Sequence, residues 1–215
     1  MSAADRFPRE SLEAAGPVSF VLGGLAILVN VFLEFVSAGA VPGWVNVLLG
    51  LGGVWVVSVG LVGVYPPFSE SAPRLALGGA VTGALGLVAL TAGLGWAVVL
   101  ALTTKTTVAE GPPLATQIFA SALGLALLSS LCYGVASSRT GRPSRTVGLL
   151  FLIPFVAFIA VILFALGSNL YGIEPPGAVA FALVGVPAVG LIAVGYALRT
   201  GYAPLDPAEP TDTTP

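Results

Sequence analysis

The sequence predicts an all-α protein: a bundle of six membrane-spanning helices with both termini on the cytoplasmic side. Three observations predict it. The 215 residues are 56% hydrophobic and 8% charged, with a mean hydropathy of +1.00, whereas soluble domains carry about 25% charged residues to wet their surface. Six apolar stretches follow one another, each near the roughly 20 residues that a helix needs to cross a hydrocarbon core about 30 Å thick. Seven of the eight bases fall on one side of the topology those stretches define.

The spans run over about 18–36, 45–64, 75–102, 114–136, 147–166 and 178–198. Each is too long and too uniformly apolar for a barrel strand of about 10 alternating residues. A helix satisfies its own backbone in lipid. Between the spans sit Pro42-Gly43, Pro66-Pro67, Pro112-Pro113, Gly141 to Pro143, and Pro175-Pro176, and proline suits a first helical turn, where its missing N–H would be unpaired anyway.

Residues 1–16 are polar and mixed in charge, and read as a cytoplasmic N-terminal tail with a brief interfacial helix around Glu10 to Ala15. The first span ends in Ala38-Gly39-Ala40, which looks like a signal-peptidase site. Its apolar run is longer than a usual signal core and Glu34 interrupts its end, so it is expected to stay as a span. The third span, about 28 residues, exceeds the core thickness and is expected to tilt or project into water. Pro154 and Pro187 lie inside the fifth and sixth. Each removes a helix hydrogen bond and crowds the carbonyl at Leu150 or Leu183, so kinks are expected. The transmembrane domain covers 17–199. Residues 200–215 pair proline with Asp206, Glu209 and Asp212, which prevents helix and buries nothing, so this acidic tail is expected to be disordered.

Bases in short loops stay on the cytoplasmic side. With six spans, one side holds Arg6, Arg9, Arg74, Arg139, Arg142, Arg145 and Arg199, and the other only Lys105. One span more or fewer would scatter them, so the bias tests the count and the orientation together. The expected location is the cell membrane, multi-pass. Tyr65, Tyr133, Tyr196 and Tyr202 fall at the inner boundary, and Trp44 and Tyr171 at the outer, where amphipathic rings prefer to sit. Trp55 lies mid-span and reads as a packing residue. Arg139, Arg142 and Arg145 form a basic loop that sets topology, with anionic lipid headgroups as candidate contacts. Spans two, four and six each follow an outer-side Pro-Pro or Pro-Gly and each carry a tyrosine near the inner end. This pattern fits three repeated hairpins, or the same membrane rules acting on every hairpin.

Arginine outnumbers lysine seven to one, acids exceed bases, and alanine, glycine and valine dominate ahead of an acidic Pro/Thr tail. In this the chain resembles small multi-pass membrane proteins of halophilic archaea. The resemblance is compositional, covers the whole chain and rests on no motif. It implies a host type, with no activity and no residue role.

The chemistry is defined as much by what the sequence lacks. There is no histidine, and Cys132 stands alone, so a disulfide framework is impossible and zinc, haem and di-iron sites lose most of their usual ligands. No cofactor or metal is expected. There is no GxxxxGKS, HExxH or GxSxG. No span holds a lysine for a Schiff base or paired carboxylates for an aspartyl protease. An enzyme is therefore not expected, and nor is a nucleic-acid partner.

Two functional readings remain. In the first, a non-enzymatic accessory, assembly or structural subunit acts through helix packing. Gly79 and Gly83 form a GxxxG, and Ala89, Gly93 and Ala97 continue with small residues at four-residue spacing. Such a stripe lets backbones approach closely, either within the monomer or at the seam of a homo-oligomer or larger membrane complex. In the second, the protein is a small ion, proton or solute transporter or channel. Glu34 is the one acid inside a span, which holds no base, and Asn30, one turn earlier, shares its face. Glu34 lies within a turn or two of the outer interface, so it reaches either the headgroups or an interior site.

Overall fold

The computed structural model describes residues 3–37, 43–104, 113–171 and 177–200. They form seven helices: α1 (Ala3–Ser37), α2 (Gly43–Gly63), α3 (Tyr65–Ser69), α4 (Pro73–Thr104), α5 (Pro113–Thr140), α6 (Arg145–Tyr171) and α7 (Gly177–Thr200). No strand occurs among the described residues. Five helices carry apolar stretches long enough to cross a bilayer: Ala15–Phe35, Pro73–Trp96, Ala120–Thr140, Arg145–Phe164 and Phe181–Thr200. The described apolar stretch of α2, Leu48–Gly63, is shorter. This is the make-up of a multi-pass membrane protein.

Two elements depart from the sequence reading. Helix α1 begins at Ala3, so its backbone takes in residues read as a tail with only a brief helix. Glu10, Leu12, Glu13, Ala14 and Ala15 are strong helix formers and join the span without a break. The connection after α2 is a helical turn, α3, in place of a plain Pro-Pro loop. Prolines occupy its first positions, where no intrahelical N–H is lost, and Phe68 turns into the bundle and is buried. Lys105, the Ala38-Gly39-Ala40 sequence and the acidic segment from 201 lie outside the described residues.

The α5–α6 connection is set by local chemistry. Gly141 sits at φ 71°, the left-handed conformation that closes helices, and its N–H donates to Ser137 O at 2.8 Å. Ser144 caps α6 by accepting from Val147 N–H at 3.2 Å. The Ser137 hydroxyl donates to Ser144 O at 2.6 Å and ties the two helix ends together.

Each long helix packs on its neighbour in the chain, and α7 returns to α1. Helix α2 also touches α5 directly, which leaves α4 outside, seated on α2 and α5. The inner ring is therefore α1, α2, α5, α6 and α7. Glycines set the close approaches. A Cβ at Gly23 of α1 would lie 2.7 Å from Gly53 O of α2, and one at Gly195 of α7 would meet Pro17 O of α1 at 2.5 Å. Contacts this short admit no side chain, so small residues fix the spacing where lipid supplies little drive. Apolar side chains on the outer surface recur every three or four residues, as in Val18, Leu22, Leu25 and Val29 of α1 and Leu77, Val81, Leu85 and Val88 of α4, the spacing of a single helix face.

The core lies at one end. Phe20 of α1, Phe68 of α3, Tyr133 of α5 and Phe151 of α6 are each 0% exposed. Their rings meet at centroid distances of 5.0 to 6.0 Å, with Phe20 edge-on to Phe151 at 5.4 Å, within the range that favours aromatic pairs. Tyr133 thus departs from its reading as a headgroup-level ring. It packs against α4, where a Cβ at Gly79 would stand 2.9 Å from the ring. The exposed Arg74, Arg139, Arg142, Arg145 and Arg199 all flank this end.

Candidate functional site

At the other end the described parts of the same helices stand apart. They enclose a cavity of about 630 Å³ with walls from all five inner-ring helices. Its deep part is buried: Val57 and Leu61 of α2, Ala126 and Ser130 of α5, and Leu191 of α7. Its rim is exposed: Glu34 and Phe35 of α1, Val161 of α6 and Val184 of α7. Phe35 is held edge-on to Phe181 of α7 at 5.2 Å. The cavity thus runs from a rim at the Glu34 end towards the aromatic cluster, which forms the sealed end.

Among the described lining residues the wall is apolar apart from four side chains: Asn30, Glu34, Asn46 and Ser130. Asn30 and Glu34 lie one turn apart on α1 and line the same space, with Asn30 the deeper and Glu34 at the exposed rim. Asn30 lies over α2, its Nδ2 3.1 Å from the position a Cβ at Gly50 would take. Asn46 is one turn before Gly50 on α2 and joins the wall from that helix. The Oδ1 atoms of both asparagines are buried and accept no hydrogen bond. A buried acceptor left unpaired costs about 1–3 kcal/mol, so two of them on one wall carry a standing penalty.

Pro154 and Pro187 also line the cavity, and α6 and α7 run helical through both. Beside Pro154 the Ser130 hydroxyl donates across to Phe151 O at 2.5 Å. The oxygen that Pro154 leaves without its helix donor is Leu150 O, so the Ser130 bond to the next carbonyl braces α5 against α6 beside that gap. Ser129, next along α5, donates to Gly79 O of α4 at 2.7 Å. These two hydroxyls bridge helices, whereas Thr82 and Thr91 bond back to Gly78 O and Leu87 O in their own helix. Trp55 also bridges, donating its indole N–H to Thr91 at 2.9 Å.

The small-residue stripe on α4 has its described contacts inside the monomer. Gly79 meets Tyr133, and a Cβ at Gly83 would lie 3.1 Å from Ser129 Oγ. Gly93 is buried and Ala89 half-buried, and Ala97 follows on the same helix. Asn46 and Ser130 were not singled out as a site by sequence. Asn46 is in an outer turn of a span, and only the α1–α2 crossing brings it to the cavity that Asn30 and Glu34 line. Among the described residues no group of acids and thiols is placed to hold a metal ion.

No family model matches the chain, and no characterised protein or solved structure matches it.

Proposed function

We propose that this is a non-enzymatic membrane protein that takes a small, largely apolar ligand into the cavity of its inner ring, as a carrier, channel or membrane-embedded binding protein. The observation that carries the reading is the cavity itself: about 630 Å³, apolar walls, and a few convergent polar groups including two unpaired asparagine oxygens. Ligand sites are concave, mostly apolar and lined by a small number of placed polar groups. Stability alone would favour leucine at both asparagine positions.

The packing-subunit reading loses ground to this one, because Gly79 and Gly83 are already used against α5 within the monomer. In the proposed topology α2 is the sixth span. Its 21 residues rise about 31 Å at 1.5 Å each, and it stands in the ring between α1 and α5. The arginine end then faces the cytoplasm by the sidedness of basic residues, and the Glu34 rim faces outward.

The test is ligand-induced stabilisation. Purified protein in nanodiscs is screened by thermal unfolding against small apolar and amphipathic compounds. Binding at one hundred times Kd adds about 2.7 kcal/mol to stability, a readily measured rise in Tm. Ala126→Phe, which fills the buried wall, is expected to remove the rise. A screen with no stabilising compound, or a rise that survives Ala126→Phe, would return the protein to the packing reading.

A further inference from the structure

We infer that the cavity's ligand is an organic ammonium ion: an apolar body carrying a primary or secondary amine. This rests on the ligand-site reading above. Glu34 is the one ionisable side chain among the described lining residues, and none of them is basic. A cavity bordered by one carboxylate disfavours anions and attracts cations. One turn below, about 6 Å deeper along α1, lies the carboxamide of Asn30 over Gly50, while Asn46, one turn before Gly50 on the antiparallel α2, stands at the level of Glu34. The buried Oδ1 atoms of both asparagines are acceptors without donors. The terminal torsion of an asparagine is broad, so either oxygen turns to meet an N–H that enters the cavity. A protonated amine supplies both needs, a positive charge for Glu34 and N–H donors for the two carbonyls.

The rest of the wall selects the body. Leu51, Val54, Phe158 and Leu183 offer apolar surface and no hydrogen bonds. A hydrated metal ion is usually held by several carboxylates in place of its water, and no group of three acids or thiols is assembled among the described residues. A quaternary ammonium would satisfy Glu34 but leave both asparagine oxygens unpaired. The volume suits a molecule of drug-like size.

The test uses four compounds of one shape: 1-aminoadamantane, its N,N,N-trimethyl derivative, 1-hydroxyadamantane and adamantane-1-carboxylate. Binding to the full chain in nanodiscs is measured by equilibrium dialysis, with empty nanodiscs subtracted. The primary amine is expected to bind about threefold to fivefold tighter than the alcohol, as for an exposed charge pair, and the carboxylate weakest. Glu34→Gln should collapse the amine-over-alcohol preference while leaving the alcohol's affinity unchanged. Asn30→Leu should remove the preference for the primary over the trimethylated amine. Equal binding of amine, alcohol and carboxylate, all lost in Ala126→Phe, would overturn the ammonium inference and leave the cavity reading standing. Binding of none, or binding indifferent to Ala126→Phe, would overturn both.

Discussion

At the arginine end of the bundle, rings from α1, α3, α5 and α6 interlock with no exposed atom surface. At the other end the inner-ring helices stand around about 630 Å³ of space, with two unpaired amide oxygens on the wall. Phe151 and Phe158, two turns apart on α6, stand on the two sides of this divide. One is packed against three other rings, and the other faces the cavity half-buried. The difference teaches that one set of helices serves two purposes. Both ends hold two buried polar side-chain atoms without a partner, Tyr133 Oη and Ser138 Oγ at the sealed end and the two amide oxygens at the other, so what separates them is packing: the sealed end holds the ring together, and that hold lets the described helices keep a cavity at the far end.

The sharpest way to break the comparison is to truncate both phenylalanines. Phe151→Ala is expected to cost about 3–5 kcal/mol, the range for a fully packed aromatic, read by reversible unfolding in mixed detergent micelles. Phe158→Ala should cost less than half as much, because its ring already borders empty space. Equal losses would mean that the two ends are packed alike.

A second experiment reverses the sign. Asn30→Leu removes a buried acceptor with no partner, so it should leave stability unchanged or raise it by about 1 kcal/mol in the same unfolding assay. A loss of more than about 1 kcal/mol, the scale of one net hydrogen bond, would show that Asn30 is a structural bridge between α1 and α2. Its place in a ligand site would then lose its main support.

The division into helices was legible in the sequence, because backbone satisfaction in lipid and bilayer thickness leave few alternatives. So was the gathering of arginines at one end: Arg74, Arg139, Arg142, Arg145 and Arg199 follow from where the connections fall. The neighbours of each helix were not legible. The faces of α2, α5 and α7 are nearly equally apolar, so periodicity does not say which one meets lipid and which one meets protein. That is why Tyr133 read as an interfacial ring while it lies against Gly79 in the core. It is also why Asn46 was passed over: its meaning depends on the α1–α2 crossing that sets it on the cavity wall shared with Asn30 and Glu34. That Asn30 and Glu34 line one space was legible because both lie on one helix, where spacing alone fixes a shared face. The turn α3 was hidden because Pro66-Pro67 signals a break equally well as a loop or as the first turn of a helix.

The central claim, that the cavity opens from the end opposite the arginines while the arginine end is sealed, is tested most directly by cysteine accessibility. In a Cys132→Ser background, Val57→Cys places a thiol on the buried cavity wall, and Phe20→Cys places one in the aromatic cluster. Intact cells are treated with a membrane-impermeant methanethiosulfonate, and labelling is read by mass. The account predicts that the thiol at position 57 is modified from outside and the one at position 20 is not. Protection at position 57, or equal labelling at both, would contradict it.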